Sequence, residues 1–193
     1  MKVSIMTGEE RPLLKVLSIL LHYPDEELLG SLAKLKGALR GIVHSRARTA
    51  CQDFLAYLDT TPLIHLQNKY SQTFNFDPAV SLYLAYSDSG AGIERGTALV
   101  HLHQLYKTSG YETTSEEYAD YLPLMLDFLS ICPQVAYMRI LTDFGDRISA
   151  LAEHLHHCAS PYASLFEALS LICKKCPQTG DQVLDLTKGN SLG

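Results

Sequence analysis

The sequence predicts an all-α fold, a single-domain helical bundle, and three observations carry that expectation. Apolar residues recur at spacings of three and four along most of the chain. Helix starts of the cap-then-proline kind, Thr61-Pro62 and Ser160-Pro161, punctuate it. No stretch alternates apolar and polar residues with the β-branched enrichment of a half-buried strand.

Leu13, Val16, Leu17, Leu20 and Leu21 form the first stripe. His22-Tyr23-Pro24-Asp25 ends it, because Pro24 cannot continue the hydrogen-bond ladder and Asp25 suits the cap of the next helix. A second helix is expected from about Glu26 to Arg40, and Ala47, Ala50, Phe54, Leu55 and Leu58 mark a third. A fourth starts with Thr61 as N-cap and Pro62 at the first helical position, and turns Leu63, Leu66, Tyr70 and Phe74 inward. Beyond an Asp77-Pro78 turn and a short stretch to Gly90 and Gly92, the spacing predicts a helix over 93–109. Its inward residues are Leu99, Leu102, Leu105 and Tyr106, and Gly110 closes it in the left-handed conformation. Tyr121 to Ile131 comes next, halted by Cys132-Pro133. Residues 134–157 carry Val135, Met138, Leu141, Ile148, Leu151 and Leu155 on one stripe, and Ser160-Pro161 opens a last helix bearing Leu165, Phe166, Leu169 and Ile172. Residues 10–177 are thus the expected domain, with 1–9 and 178–193 as loose ends.

A chain of 193 residues, 47% apolar and 19% charged, suits one globular domain. The formal net charge of −5 argues against binding a phosphate backbone, so nucleic acid is not an expected partner. MKVSIMTGEERP meets Gly8, Glu9 and Glu10 before a signal-peptide run forms, and Ser18 interrupts the run from Val16 to Leu21. The expectation is a cytoplasmic protein with no direct membrane insertion. Cys51, Cys132, Cys158, Cys173 and Cys176 then read as reduced thiols.

Chemistry-bearing constellations are sparse. His154, His156, His157 and Cys158 lie near one helix end, Cys173-Lys174-Lys175-Cys176 near another. In an antiparallel hairpin Cys173 falls roughly 18 Å along the axis from the intervening turn, so the two groups cannot share a metal. Cys173 and Cys176 close a helix rather than open one, which is the wrong end for an activated thiol. His101 and His103 occupy different helix faces. Glu26/Glu27 and Glu116/Glu117 read as solvated first-turn acids, Ser81 has no nucleophile elbow, and no glycine-rich phosphate loop is present. The expectation is a non-enzyme with no metal and no cofactor.

What stands out is FNFDPAVSLYLAY, residues 74–86, whose Phe74, Phe76, Tyr83 and Tyr86 crowd a bend that carries no chemistry. Such aromatics are either core or a surface that holds another chain.

YSQTFNFD, SLYLAY, GIERGTALVHLHQLYKTSG and ADYLPLMLDFL, in that order, resemble the assembly chaperones of respiratory nitrate reductase, the NarJ type, and LSILLHYPDEELL resembles that family's first helix and turn. The family is similar in architecture to the wider TorD/DmsD-like redox-enzyme maturation chaperones. The resemblance implies a chaperone that binds the N-terminal peptide of an apo molybdoenzyme catalytic subunit, nitrate reductase α-like, while molybdenum cofactor is inserted and the complex assembled. Alternatives are a chaperone for a DMSO or TMAO reductase-like enzyme, a general helical adaptor, or a thiol or metal protein built on Cys173 and Cys176. Tyr70, Phe74, Phe76, Tyr83, Tyr86 and Tyr121 are expected to line a peptide groove with Arg95 and Asp120 as polar fixtures, in a monomer or homodimer. Asp77, Asp88, Glu116, Glu117 and Asp120 would give that groove an acidic rim. Where the family commonly reads Leu-Pro-Asp-His-Leu-Pro, this chain has Tyr118-Ala119-Asp120-Tyr121-Leu122-Pro123, which suggests a client other than the best-known nitrate reductase and leaves Asp120 suited to cap the next helix.

Overall fold

The computed structural model describes residues 10–76, 78–85, 92–112 and 117–173. The expected loose ends 1–9 and 178–193 lie outside that set, as do Asp77, Tyr86, Asp88, Gly90, Glu116 and Cys176. Among the described residues the chain forms eight α-helices and one 3₁₀ turn, and its only β pairing is an isolated bridge. The helices are α1 (Arg11–Leu20), α2 (Glu26–Leu39), α3 (Ser45–Thr60), α4 (Leu63–Phe74), α5 (Gly92–Thr108), α6 (Leu122–Ile131), α7 (Gln134–His157) and α8 (Ala163–Cys173), with the 3₁₀ turn at Pro78–Val80. None of the described helices is long and apolar enough to cross a membrane.

Two helices take the centre because they are apolar on nearly every side. In α6 Leu122, Pro123, Leu124, Met125, Leu126, Phe128 and Leu129 are all buried, chiefly against α1. In α8 Leu165, Phe166, Ala168, Leu169 and Ile172 are buried between α3 and α7. Polar ties fix the first of these contacts. The Arg11 guanidinium donates to the Ser130 and Cys132 carbonyls at 3.3 and 2.8 Å, satisfying the end of α6 from the start of α1, and Lys15 pairs with Asp127.

Helix ends obey local chemistry. Asp25 caps α2, accepting from the Leu28 N–H at 2.8 Å. Gly110, at φ +73°, closes α5 in a Schellman motif, with Tyr111 N–H on the Tyr106 carbonyl and Gly110 N–H on Lys107. The same motif ends α7, where Ser160 N–H reaches Leu155 and Ala159 N–H reaches His156. There the left-handed position is filled by Ala159, at φ 47°.

Three local expectations are corrected. Thr61 does not cap α4: Pro62, extended at ψ 142°, occupies the N-cap position, and Thr61 falls one residue further out as the C-cap of α3. The last helix starts at Ala163 rather than Pro161, because Ser160 and Pro161 are spent on the turn, with Ser160 Oγ accepting from Tyr162 N–H at 3.3 Å. Val135 is 82% exposed rather than on the buried stripe. The inward phase of α7 runs through Tyr137, Ile140, Leu141, Phe144, Ile148, Leu151 and Leu155, which puts Val135 on the opposite side.

Tyr162, in the turn just ahead of α8, organises the aromatic core: its ring centroid lies 4.9 Å from Phe54, 4.8 Å from Phe74 and 5.9 Å from Tyr70. Such tilted and edge-to-face contacts add about 0.5–1.5 kcal/mol each beyond area burial. They hold the end of α4 against α8 and so set one wall of the site.

Candidate functional site

The segment after the 3₁₀ turn forms a strap. Residues 81–85 lie antiparallel to the approach to α6 through a bridge between Tyr83 and Tyr121, with Leu84 N–H on the Asp120 carbonyl at 3.0 Å and Leu122 N–H on the Leu82 carbonyl at 2.8 Å. Asp120, 0% exposed, completes it: its Oδ2 accepts from Ala85 N–H at 3.1 Å and lies 3.7 Å from the Arg95 guanidinium. Burial lifts the Asp120 carboxyl above its ordinary value, and Arg95 and the Ala85 N–H oppose that rise. The expected capping role is corrected, since Tyr121 occupies the N-cap of α6 without a side-chain cap bond. The Asp120 carboxylate is turned to the strap instead. Glu117 likewise is not a first-turn acid; it stands in the turn ahead of α6.

Beneath the strap is a cleft of about 210 Å³ lined by Tyr23, Tyr70, Phe74, Leu82, Tyr83 and Tyr121, together with Asn75 and Glu117. Tyr70 donates to the Leu21 carbonyl at 3.3 Å, so the 3.2 Å contact between the Tyr70 and Tyr121 hydroxyls has Tyr121 as donor. Tyr83 donates to Glu117 at 2.7 Å. Burial raises the Tyr70, Tyr83 and Tyr121 phenols above their ordinary values, and all three are neutral hydroxyls at pH 7. Arg95 stands 6.0 Å from the Tyr83 ring and 5.2 Å from that of Tyr118.

Four of the expected site residues, Tyr70, Phe74, Tyr83 and Tyr121, therefore meet at one cleft. Arg95 and Asp120 pair with each other and do not line it. Phe76 is 78% exposed and stands apart from it, and Tyr86 lies outside the described residues. Sequence reasoning missed Tyr23, which packs edge-on against Tyr70 at 5.3 Å and is 48% exposed. It also missed a larger groove, about 790 Å³, between α1 and α2, walled by Val16, Ile19, Leu28 and Leu35 with Lys15, Lys34, Asp25 and Glu27 among its charged residues. Tyr23 lines both depressions and joins them. The available signal was an aromatic ahead of Pro24, in a turn read only as a helix break.

Among the described residues no group of three or more His, Cys, Asp and Glu is gathered as a metal site. Cys51 and Cys132 are buried, and burial pushes their thiols up to about 12 and about 11.

The helical arrangement has a counterpart among solved structures. A crystal structure from Archaeoglobus fulgidus, of a chain proposed to be a redox enzyme maturation protein, shares the fold with a TM-score of 0.63 over 90% of this chain and 99% of that one, at 22% identity. The chain belongs to the nitrate reductase delta subunit family, whose model matches residues 43–168. A Bacillus subtilis protein named as a probable nitrate reductase molybdenum cofactor assembly chaperone, NarJ, is 32% identical over 84% of this chain and 89% of its own length. The Escherichia coli K12 nitrate reductase molybdenum cofactor assembly chaperone NarJ is 32% identical over 81% of this chain and 67% of its own. Both names describe assembly chaperones rather than catalysts, in accord with the expectation of a non-enzyme.

Proposed function

We infer that this protein is a cytoplasmic chaperone that binds the N-terminal region of an apo molybdoenzyme catalytic subunit, nitrate reductase α-like, during molybdenum cofactor insertion and complex assembly. Family membership supports the class of client, and the observation that carries the binding mode is the joined surface at Tyr23. The α1–α2 groove offers an apolar wall of Val16, Ile19, Leu28 and Leu35, the kind of surface an amphipathic helix covers with its i, i+3 and i+4 residues. The tyrosine cleft adds hydroxyls and ring faces at its end. Of the residues expected from sequence, Tyr70, Phe74, Tyr83 and Tyr121 form this cleft in the proposal, while Arg95 and Asp120 hold the strap that roofs it.

Titration calorimetry with the N-terminal peptide of each molybdoenzyme of the same organism tests the reading. One peptide is expected to bind, and Ile19→Glu or Tyr23→Ala to weaken it by about 1–3 kcal/mol with helix content unchanged. Binding by none of the peptides, or binding untouched by both variants, rejects the site.

A further inference from the structure

The groove between α1 and α2 is charged unequally along its length. At the α1–α2 turn its walls carry Asp25 and Glu27, and toward the far end they carry Lys34. His22 shares the turn end, but desolvation holds its imidazole below the ordinary value, so it is neutral at pH 7 and does not offset the two acids. Lys15, midway along, is matched in charge by Asp127, whereas Lys34 enters none of the ion pairs among the described residues. At 1.5 Å per residue, Glu27 and Lys34 stand about 10 Å apart along the α2 axis.

A helix lying in this groove is itself a dipole, with about half a positive charge at its N-terminus and about half a negative charge at its C-terminus. The backbone dipoles of the walls do not choose between its two directions. α1 runs toward the turn and α2 away from it, so what one wall favours the other opposes. The side-chain charges do choose. With its N-terminus at the turn, the bound helix sets its positive end against Asp25 and Glu27 and its negative end against Lys34, and the reverse direction sets like charges together at both ends.

The geometry points to one fixed direction for the client helix, N-terminus at the α1–α2 turn and C-terminus at Lys34 and Ala38, antiparallel to α1 and parallel to α2. The chain that follows it then leaves over the start of α1, beside the corner between α6 and α7. Arg11 holds that corner to α1 through the Ser130 and Cys132 carbonyls, and Ile131 and Val135 are exposed on it.

This direction rests on the client-binding reading above, and paramagnetic broadening separates their failures. The probe is the molybdoenzyme N-terminal peptide selected by the titration above, acetylated and amidated so that terminal charges do not add to the helix dipole, with a nitroxide at its first or its last residue. A helix of about 15 residues is about 22 Å long, so the two labels report on opposite ends of the groove. The first-residue label is expected to broaden the methyl signals of Ile19 and Leu28 most, and the last-residue label those of Leu35, Ala38 and Ile131. The opposite pattern overturns the direction and leaves the client reading standing. If no peptide binds, or a bound peptide broadens neither set, the client site fails and the direction falls with it. The swap Glu27→Lys with Lys34→Glu, at two exposed positions, keeps the net charge of the groove. It is expected to weaken binding about three- to tenfold at low salt and to make each label broaden both ends. A pattern and affinity that survive the swap overturn the assignment of direction to these charges.

Discussion

Replacing Asp120 with Ser separates two duties, cap and strap anchor. As an N-cap, Ser substitutes for Asp at almost no cost, a few tenths of a kcal/mol. As the anchor seen in the structure, Asp120 gives up the acceptor for the Ala85 N–H and the counter-charge of Arg95, whose side chain is 30% exposed. Leaving the part-buried Ala85 N–H without its acceptor costs about 1–3 kcal/mol, and the Arg95 charge, discounted for its partial exposure, adds about 1 kcal/mol. The expected loss is therefore about 2–4 kcal/mol, or a Tm lower by about 10 °C for a chain of this size. Urea denaturation of both proteins at pH 7 reads it. A loss below about 0.5 kcal/mol would refute the anchor role. The pH dependence has a definite sign. Burial raises the Asp120 carboxyl above 3.8, so the folded protein binds its proton more tightly than the unfolded chain. Relative to Asp120→Asn, wild-type stability is greatest below about pH 4 and declines as pH rises through the folded value. The raised carboxyl does not make deletion harmless, because removing one member leaves the other partly buried and uncompensated.

Further expectations are of the same kind. Ala159→Gly relieves a left-handed backbone at the end of α7 and is expected to stabilise the protein by about 0.5–1 kcal/mol in the same denaturation assay. The Tyr162 hydroxyl is buried without a hydrogen-bond partner, so Tyr162→Phe is expected to leave stability unchanged or raise it by up to about 1 kcal/mol, while Tyr70→Phe, which loses the Leu21 and Tyr121 contacts, lowers it by about 1 kcal/mol. Iodoacetamide at pH 8, with mass spectrometry as readout, is expected to label exposed Cys158 in the folded protein and to reach Cys51 and Cys132 only after unfolding.

The helices were legible because their signals are local. Asp25 and Gly110 each announce a boundary through side-chain or backbone chemistry within a few residues, and the apolar run of α6 marks a central helix by itself. Thr61 misled because the same two residues serve either as cap and first helical residue or as a C-cap and an extended Pro, and the end of α3 decides between them. Val135 misled because a stripe through Met138 and Leu141 fits the spacing as well as one through Tyr137 and Phe144. The site was legible only in part, for a different reason. The density of aromatics from Tyr70 to Tyr83 marks a special bend, but Tyr23 and Glu117 reach it from distant segments, and Asp120 is turned inward by a strap that no periodicity reveals. Which face of each ring is core was set by Tyr162, from the far end of the chain.

Binding to the catalytic subunit of the organism's nitrate reductase, prepared with and without its molybdenum cofactor, tests the chaperone role most directly. With this protein immobilised and each form passed over it, the expected result is retention of the apo subunit, competition by its own N-terminal peptide, and little retention of the cofactor-loaded subunit. Equal retention of both forms, or of neither, contradicts a chaperone that acts at cofactor insertion.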